Sequence, residues 1–277
     1  MIVLTAATGY YLAIHEHFEM YLSSLSHVLL FFTAMIGTAL TSAGSCVLNN
    51  YVEKEHDQNM KRTSKRALPS GIIHPRSALI FGITLSIIGF ALLFVFVNVL
   101  TAVLSLVTII AYVNIYTPLK RRSKVSLYAG TLPGAIPALG GWTAVTNSID
   151  IPGLLLFGIL LVWQIPHFLA LAWIYRIDYR QAGFIMHTYE GDSTALHISR
   201  LSIAYMLIGM LLSMALWLYA PLGFVYLIGV IALSLFFLYA CLTFYKHQDG
   251  KSAKLQLYAS YAYLTGIFLL VFVNKQL

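Results

Sequence analysis

The stretch NNYVEKEHDQNMKRTSKRALPSG, residues 49–71, directly follows an apolar run that covers residues 28–48. Within it Asn49, Glu53 and Asp57 recur every four residues, so a helix that continues through them places all three side chains on one face. Two carboxylates one turn apart repel each other, and a divalent cation between them removes that repulsion most simply. The spacing therefore predicts a metal site, and a solvated charged loop between two membrane helices is the alternative.

Basic residues follow the acidic face within a few positions, at Lys61, Arg62, Lys65 and Arg66. In proteins, Mg²⁺ is typically bound through one or two carboxylates together with phosphate oxygens. Arg adds bidentate hydrogen bonds to such an anion, and Lys adds a point charge. The natural ligand for a metal site beside this basic segment is therefore a diphosphate.

The composition identifies the class of protein. Of the 277 residues, 59% are hydrophobic and 10% are charged, far below the roughly 25% charged residues of a soluble domain. Segments of about 20 apolar residues are long enough to cross a bilayer, so the chain is predicted to be an all-α, polytopic membrane protein with one domain over residues 1–277. Nine spans are expected at residues 1–14, 26–48, 76–97, 99–118, 127–146, 152–175, 200–219, 222–244 and 256–274.

The basic residues indicate how the spans are oriented in the lipid bilayer. They cluster after spans two, four, six and eight, whereas Lys275 lies alone on the opposite side. By the positive-inside rule, the basic loops and the N-terminus are cytoplasmic and the C-terminus is outside. This topology explains the net charge of +7, so a nucleic-acid partner is unnecessary.

Span four ends in AYVNIYTPLKRRSK, where Tyr116 and Lys120 are four residues apart and can share a face. An interfacial Tyr beside a Lys that snorkels to the membrane surface is the alternative. Span six contains His167 directly after Pro166, and an ionisable residue inside a membrane is a functional candidate by default. His167 is expected either to contact a porphyrin or to satisfy the carbonyl group that Pro166 leaves free.

Span five reads SLYAGTLPGAIPALGGW and contains Pro133 and Pro137. We expect a bent or broken helix, which membranes tolerate where neighbouring helices or a cavity satisfy the freed backbone groups. A substrate chamber and tight helix packing both fit this pattern.

A second polar cluster, Tyr175, Asp178 and Tyr179, ends span six on the same side as Glu53 and Asp57. Two acid-bearing loops above an apolar chamber suit a substrate with a diphosphate head and an isoprenoid tail.

Three segments together resemble the UbiA-type intramembrane prenyltransferases. They are the Asn49, Glu53, Asp57 spacing followed by MKRTSKR, the segment YTPLKRR at 116–122, and WQIPHFLALAW followed by DYRQAG. The last two are specific to the branch of the family that farnesylates heme, and the resemblance covers the chain from span two onward. It implies a nine-helix bundle around a central cavity, in the inner membrane of a bacterium.

The resemblance also implies the reaction. Farnesyl diphosphate and heme B would be the substrates, with Mg²⁺ as cofactor and a heme A synthase as a candidate partner. Farnesyl would be transferred to the 2-vinyl group of heme B, giving heme O. Prenylation of a quinone precursor, or transport of heme or lipid without chemistry, are the alternatives.

Residue roles follow from the resemblance position by position. Glu53 stands where Asp is usual in the family, which keeps the ligand type but lengthens the side chain by one methylene. The implied catalytic residues are Asp57, Glu53 and Lys120, and the implied metal ligands are Asn49, Glu53, Asp57 and Asp178. The implied substrate-binding residues are Asn49, Arg62, Arg66, Tyr116, Lys120 and Asp178. His167 and Tyr175 are added to the substrate-binding candidates from the residue pattern of span six alone.

The expected mechanism is that Mg²⁺, together with Lys120, Arg62 and Arg66, draws charge from the diphosphate as the allylic C–O bond breaks. The apolar chamber would keep water away from the resulting cation.

Overall fold

In a computed structural model, the protein is described at residues 1–14, 17–181, 183–185 and 193–276. These residues form helices and one isolated backbone bridge between Leu222 and Lys275, so the predicted all-α class is confirmed. Two short helices, Phe18–Leu22 and Arg176–Gln181, lie between longer ones. The longer helices in the described residues are α1 (Ile2–Ala13), α2 (Leu25–Asp57), α3 (Pro75–Phe96), α4 (Val99–Leu119), α5 (Ser126–Thr146), α6 (Ile151–Ile174), α7 (Ser193–Tyr219), α8 (Phe224–His247) and α9 (Gly250–Asn274).

Each of the nine predicted spans coincides with one of these helices. Seven of them, α2 to α4 and α6 to α9, are long and apolar enough to cross a membrane. Helix α1 is apolar but shorter, while α5 carries the glycines and prolines that lower its hydropathy. The chain is therefore a multi-pass membrane protein.

Several helices extend past the predicted spans. Helix α2 continues from residue 48 to Asp57, and α9 starts at Gly250 instead of residue 256. Asp249 caps α9 by accepting a hydrogen bond from the Ser252 backbone N–H at 2.7 Å, and the Ser252 side chain completes a capping box. Such a cap satisfies otherwise unpaired N–H groups, which allows the helix to begin in a polar stretch that hydropathy does not detect.

Helix α5 is one continuous helix despite Pro133 and Pro137, so the break considered for span five is absent. Its far half packs directly against α1. A Cβ added at Gly141 would collide with the carbonyl oxygen of Ala6, and one added at Gly9 would collide with the carbonyl oxygen of Ala138. The glycines thus allow the two backbones to approach closely, as is common between membrane helices.

We expect Gly141→Ala to destabilise the protein by about 1–3 kcal/mol, because overpacking a tight contact forces the backbones apart. The measurement is the midpoint of thermal unfolding of the purified protein in detergent. Gly140→Ala is the matched control, since an added Cβ there meets nothing within 4 Å. Equal shifts in both variants would contradict the close contact.

Helix α4 changes its winding near its end. Residues Ala111–Tyr116 form a π-helical segment, and the Thr117 hydroxyl donates to the Tyr112 carbonyl at 2.7 Å. Single π-turns inside α-helices often occur at functional sites. This one lies at the end of the bundle where α2, α4 and α6 finish, which we call the Asp57 end.

Candidate active site

Asn49, Glu53 and Asp57 lie on the buried face of α2, as the four-residue spacing predicts. Their exposed fractions are 5%, 5% and 2%. Glu55 is on the same helical turn but is exposed. The segment is therefore not a solvated charged loop, and three ligand-type side chains converge at the Asp57 end of the bundle.

Each buried carboxylate is paired with a basic side chain from another segment. Lys120 Nζ lies 2.9 Å from Glu53 Oε1, and Arg66 Nη1 lies 2.8 Å from Asp57 Oδ2. Arg66 Nη1 also donates to Asn50 Oδ1 at 3.0 Å. Burying a carboxylate is costly unless it is paired and hydrogen-bonded, so these ion pairs explain how the acids are tolerated inside the bundle.

Lys120 points into the bundle and does not snorkel to the membrane surface. Its side chain is 14% exposed, and Nζ lies 4.4 Å from the centroid of the Tyr116 ring. Desolvation by burial lowers the pKa of Lys120, but Tyr116 and the Glu53 carboxylate raise it by more. The net effect is a pKa above the ordinary value, so the ammonium group stays charged.

Asn49 is held by a residue that the sequence interpretation did not single out. Its Nδ2 donates to Thr117 Oγ1 at 2.8 Å, and Thr117 is fully buried. Because the same hydroxyl donates to the Tyr112 carbonyl in the π-helical segment, Thr117 connects the face of α2 to the altered winding of α4. The only signal in the sequence is its position inside YTPLKRR.

The segment after α6 covers Lys120. The Ile185 backbone N–H donates to the Lys120 carbonyl at 2.8 Å. Phe184 is 3% exposed, packs against Met60, and has its ring centroid 6.0 Å from that of His56. The Phe184 ring centroid lies 5.8 Å from Lys120 Nζ, so an apolar side chain packs beside the Glu53–Lys120 pair, a role that its residue type alone does not indicate.

Two cavities meet beside this site. The inner cavity has a volume of about 230 Å³, and the outer cavity has a volume of about 310 Å³. Both are lined by Tyr116 and Phe168. The inner cavity lies between α2, α4, α5 and α6, and its lining includes Ser45, Tyr112, Gly130, Pro133, Gly134 and Gln164. One half of α5 thus lines a cavity, while the other half packs tightly against α1 as one of the two predictions for span five expects. That the cavity is a substrate chamber stays a prediction.

The remaining candidates lie around the outer cavity or outside it. Arg62 and Tyr175 both line the outer cavity, with the Arg62 guanidinium 5.8 Å from the Tyr175 ring centroid. Asp178 lies partly exposed on the short helix Arg176–Gln181. In the described part of the chain, no three His, Cys, Asp or Glu side chains come together in a metal-binding group. The structure therefore does not bring Asp178 together with Glu53 and Asp57, and its role as a ligand stays a prediction.

His167 is buried in an aromatic environment, with an exposed fraction of 6%. Its Nδ1 lies 2.8 Å from Ser260 Oγ of α9, and its ring lies 4.9 Å from those of Trp163 and Tyr261. This nitrogen is thus satisfied by a serine and not by a carbonyl group near Pro166. Since Tyr261 lines the outer cavity, His167 lies directly behind the cavity wall, and a contact with porphyrin stays a prediction.

The side chains on α2 are suited to a hard cation. Two carboxylates and one amide supply oxygen donors, which are the ligands that Mg²⁺ prefers. Their partners Lys120 and Arg66 carry the charge that a phosphate group attracts. The chemistry of the site therefore allows a metal ion to bind Glu53 and Asp57 while an anion binds Lys120 and Arg66, in place of the ion pairs that these side chains form with each other.

Comparison with known proteins finds a matching family and named relatives. The sequence matches the UbiA prenyltransferase family over residues 2–270. It is 41% identical over 246 residues to the protoheme IX farnesyltransferase of Salinibacter ruber, covering 87% of this chain and 84% of that protein. It is 34% identical over 283 residues to the protoheme IX farnesyltransferase of Solibacter usitatus, covering 99% and 94%.

Solved structures share the fold. One is of digeranylgeranylglyceryl phosphate synthase, with a TM-score of 0.75 and 19% identity, covering 99% of this chain and 92% of that chain. Another is a UbiA homolog from Archaeoglobus fulgidus bound to GPP and Mg²⁺, with a TM-score of 0.66 and 17% identity, covering 98% and 95%.

Proposed function

The chain belongs to the UbiA prenyltransferase family, and we propose that it transfers farnesyl from farnesyl diphosphate to the 2-vinyl group of heme B, giving heme O. The observation that carries the proposal is the buried pairing of Glu53 with Lys120 and of Asp57 with Arg66. Lys120 Nζ lies 4.4 Å from the ring centroid of Tyr116, which lines the inner cavity. The relatives named above are protoheme IX farnesyltransferases, which supports heme as the acceptor. We further propose a bacterial inner membrane as the location, with the Asp57 end cytoplasmic.

The diphosphate is expected to bind at the basic partners of the acids. Lys120 and Arg66 would turn from Glu53 and Asp57 to the phosphate oxygens, with Arg62 on the outer side. Glu53, Asp57 and Asn49 would then hold Mg²⁺, which when bound supplies positive charge beside the leaving group. Lys120 stays protonated in its buried position, so it can stabilise the charge that develops as the C–O bond breaks.

The inner cavity is suited to the isoprenoid tail. It begins at Tyr116, directly beside Lys120, and continues between α2 and α5. The rings of Tyr112 and Tyr116 lie 5.5 Å apart at its entrance, and aromatic faces stabilise nearby positive charge. Exclusion of water protects the allylic cation until the acceptor reaches it.

The proposed reaction begins when the bond from C1 of farnesyl to the diphosphate oxygen breaks and diphosphate leaves with the electron pair. The terminal vinyl carbon of heme then donates its π electrons to C1 of the allylic cation, which forms the new C–C bond. The cation left beside the porphyrin ring takes up a water molecule, which releases one proton and leaves the hydroxyl group of heme O.

The direct test is to supply the purified protein with heme B, farnesyl diphosphate and Mg²⁺ and to analyse the extracted hemes by mass spectrometry. A hydroxyethylfarnesyl heme is the expected product. Unchanged heme B, together with prenylation of 4-hydroxybenzoate, would establish a quinone-precursor prenyltransferase instead. If the protein binds heme B but prenylates neither heme B nor 4-hydroxybenzoate, transport of heme would be favoured instead.

We expect Thr117→Val to lower the rate of heme O formation by about tenfold, because a buried Asn49 amide that loses its acceptor costs about 1–3 kcal/mol. Val keeps the shape of Thr, so the helix packing is retained. The control is Thr243→Val on α8, a helix that packs against α7 and α9. There the threonine hydroxyl donates to the Tyr239 carbonyl at 2.8 Å. A similar loss in both variants would mean that the effect is on folding alone.

A further inference from the structure

The inner cavity is followed by a second, smaller cavity deeper in the bundle. The helices α2, α4 and α5 each line the inner cavity with residues nearer the Asp57 end and the small cavity with residues further from it. On α5, for example, Gly134 lines the inner cavity and Gly140 lines the small one. Ser42 of α2 and Thr108 of α4 line both cavities. These two side chains therefore form a neck between the two cavities.

The space beyond the neck is too small for a further isoprenoid unit. The small cavity has a volume of about 20 Å³, compared with about 230 Å³ for the inner cavity, and a space of that size holds about one water molecule. If the three isoprenoid units of farnesyl fill the inner cavity, a fourth unit needs about a third of that volume again. The inner cavity is thus effectively closed at the neck.

Hydroxyl groups around the small cavity are satisfied by their own helices. Thr108 Oγ1 donates to the Leu104 carbonyl at 2.9 Å. Thr41 Oγ1 donates to the Gly37 carbonyl at 3.0 Å. Such local bonds use the hydroxyl proton within the helix, so these groups need no water partner. The closed end is therefore compatible with the apolar end of a prenyl chain.

Leu93 of α3 holds the far side of the small cavity in place. Its side chain is fully buried and lines that cavity. A Cβ added at Gly37 would lie 2.7 Å from Leu93 Cδ2, and one added at Gly89 would lie 2.7 Å from the backbone nitrogen of Thr41. Helices α2 and α3 are thus already in close contact around Leu93. Because such packing leaves little free space, Leu93 cannot move aside for a longer chain.

Building on the heme farnesylation proposed above, we propose that Leu93, behind the neck of Ser42 and Thr108, sets the length of the prenyl donor. With the diphosphate bound at Lys120, the chain extends from Tyr116 toward the neck. Farnesyl fills this space, geranyl leaves part of it empty, and the last unit of geranylgeranyl is blocked by Leu93. The closed end thereby selects farnesyl among donors that carry the same diphosphate group.

The test measures the binding of prenyl thiolodiphosphates, in which a sulfur atom replaces the oxygen between the chain and the diphosphate and so slows the transfer. The geranyl, farnesyl and geranylgeranyl compounds are titrated calorimetrically into the purified protein with Mg²⁺ and without heme. We expect the farnesyl compound to bind about tenfold more tightly than either of the others, because a pocket of fixed size discriminates between chains of different length. In Leu93→Ala the geranylgeranyl compound should bind within about twofold of the farnesyl compound.

Ser42→Leu tests the same boundary from the other side, because the larger side chain fills the neck. It should weaken binding of the farnesyl compound by about tenfold and change binding of the geranyl compound by about twofold or less, so that the preference for farnesyl over geranyl is lost. The control is Leu216→Ala, which truncates another fully buried leucine on α7, a helix that packs against α6 and α8. It should keep the preference for farnesyl.

Equal binding of the farnesyl and geranylgeranyl compounds by the unmodified protein would overturn the proposal, since the chain would then leave the cavity toward the lipid. So would a preference for farnesyl that survives in Leu93→Ala, or an equal weakening of all three compounds in Ser42→Leu. If Leu93→Ala does not fold, Ser42→Leu decides alone. Binding needs no heme, so a failure of the proposed function is seen separately, as unmodified protein that selects by chain length but makes no heme O.

Discussion

Replacing Lys120 with Met is expected to lower the rate of heme O formation by about 10²–10³-fold, the usual cost of removing one group that stabilises developing negative charge. Lys120 is the basic partner of Glu53 in a buried ion pair, and its ammonium lies 4.4 Å from the ring centroid of Tyr116, which lines the inner cavity. Met keeps most of the side-chain volume while removing the charge. The rate is measured by mass spectrometry of extracted hemes at saturating concentrations of both substrates.

The same substitution should also destabilise the protein, because it leaves Glu53 buried without its partner. Breaking a buried ion pair by removing one member costs about 3–5 kcal/mol. The double variant Glu53→Gln/Lys120→Met removes both charges and should regain much of the thermal stability. If the double variant regained activity as well, Lys120 would be a structural partner of Glu53 and not a catalytic residue.

Asp57→Asn is expected to lower the rate of heme O formation by at least about 100-fold, because it removes one of the two carboxylates proposed to hold Mg²⁺. Losing one preorganised electrostatic group typically has an effect of this size. The amide is nearly the same size as the carboxylate, so the packing around this buried position is preserved. The measurement is the rate of heme O formation as the concentration of Mg²⁺ is raised. The apparent affinity for the metal should fall together with the rate.

The matched control is Glu55→Gln on the same turn of α2. Glu55 is exposed, so neutralising it changes the local charge by the same amount without touching the buried face. We expect a rate within about twofold of the unmodified protein, because exposed charges contribute little. A comparable loss in both variants would mean that the net charge of the segment matters, and not the position of Asp57.

The sequence predicts the helices of this fold well, because crossing a bilayer requires long apolar runs and the chain has few other features. It predicts helix ends less well. Helix α7 begins at Ser193 instead of residue 200, and α2 runs on to Asp57, since polar residues extend a helix beyond the apolar part that hydropathy detects. The π-helical segment of α4 precedes Pro118, which lacks a backbone N–H and clashes with the carbonyl group of the residue four positions earlier. That residue type predicts a disturbance of the helix but does not say which form it takes.

The candidate site is predictable where its geometry is local. A spacing of four residues places Asn49, Glu53 and Asp57 on one face, and the helix confirms it. The partner of Glu53 is different, because Lys120 lies 67 residues away along the chain and only the packing of α2 against α4 brings the two together. Phe184 is harder still, since its place beside Lys120 follows from the packing of the segment after α6 and not from its residue type.

The π-helical segment also has a consequence for the tolerance of α4 to change. A wider turn amounts to one extra residue, so the helix has two rotational phases, one before Ala111 and one after Tyr116. The first phase sets which side chains meet the lipid, and the second aims Lys120 at Glu53. Deleting a single residue within the segment would restore a regular winding and leave Lys120 aimed almost as before, because the wider turn is what accommodates the extra residue. A deletion elsewhere in the α-helical part would instead turn the charged end away from its partner by about 100°, one residue's rotation at 3.6 residues per turn.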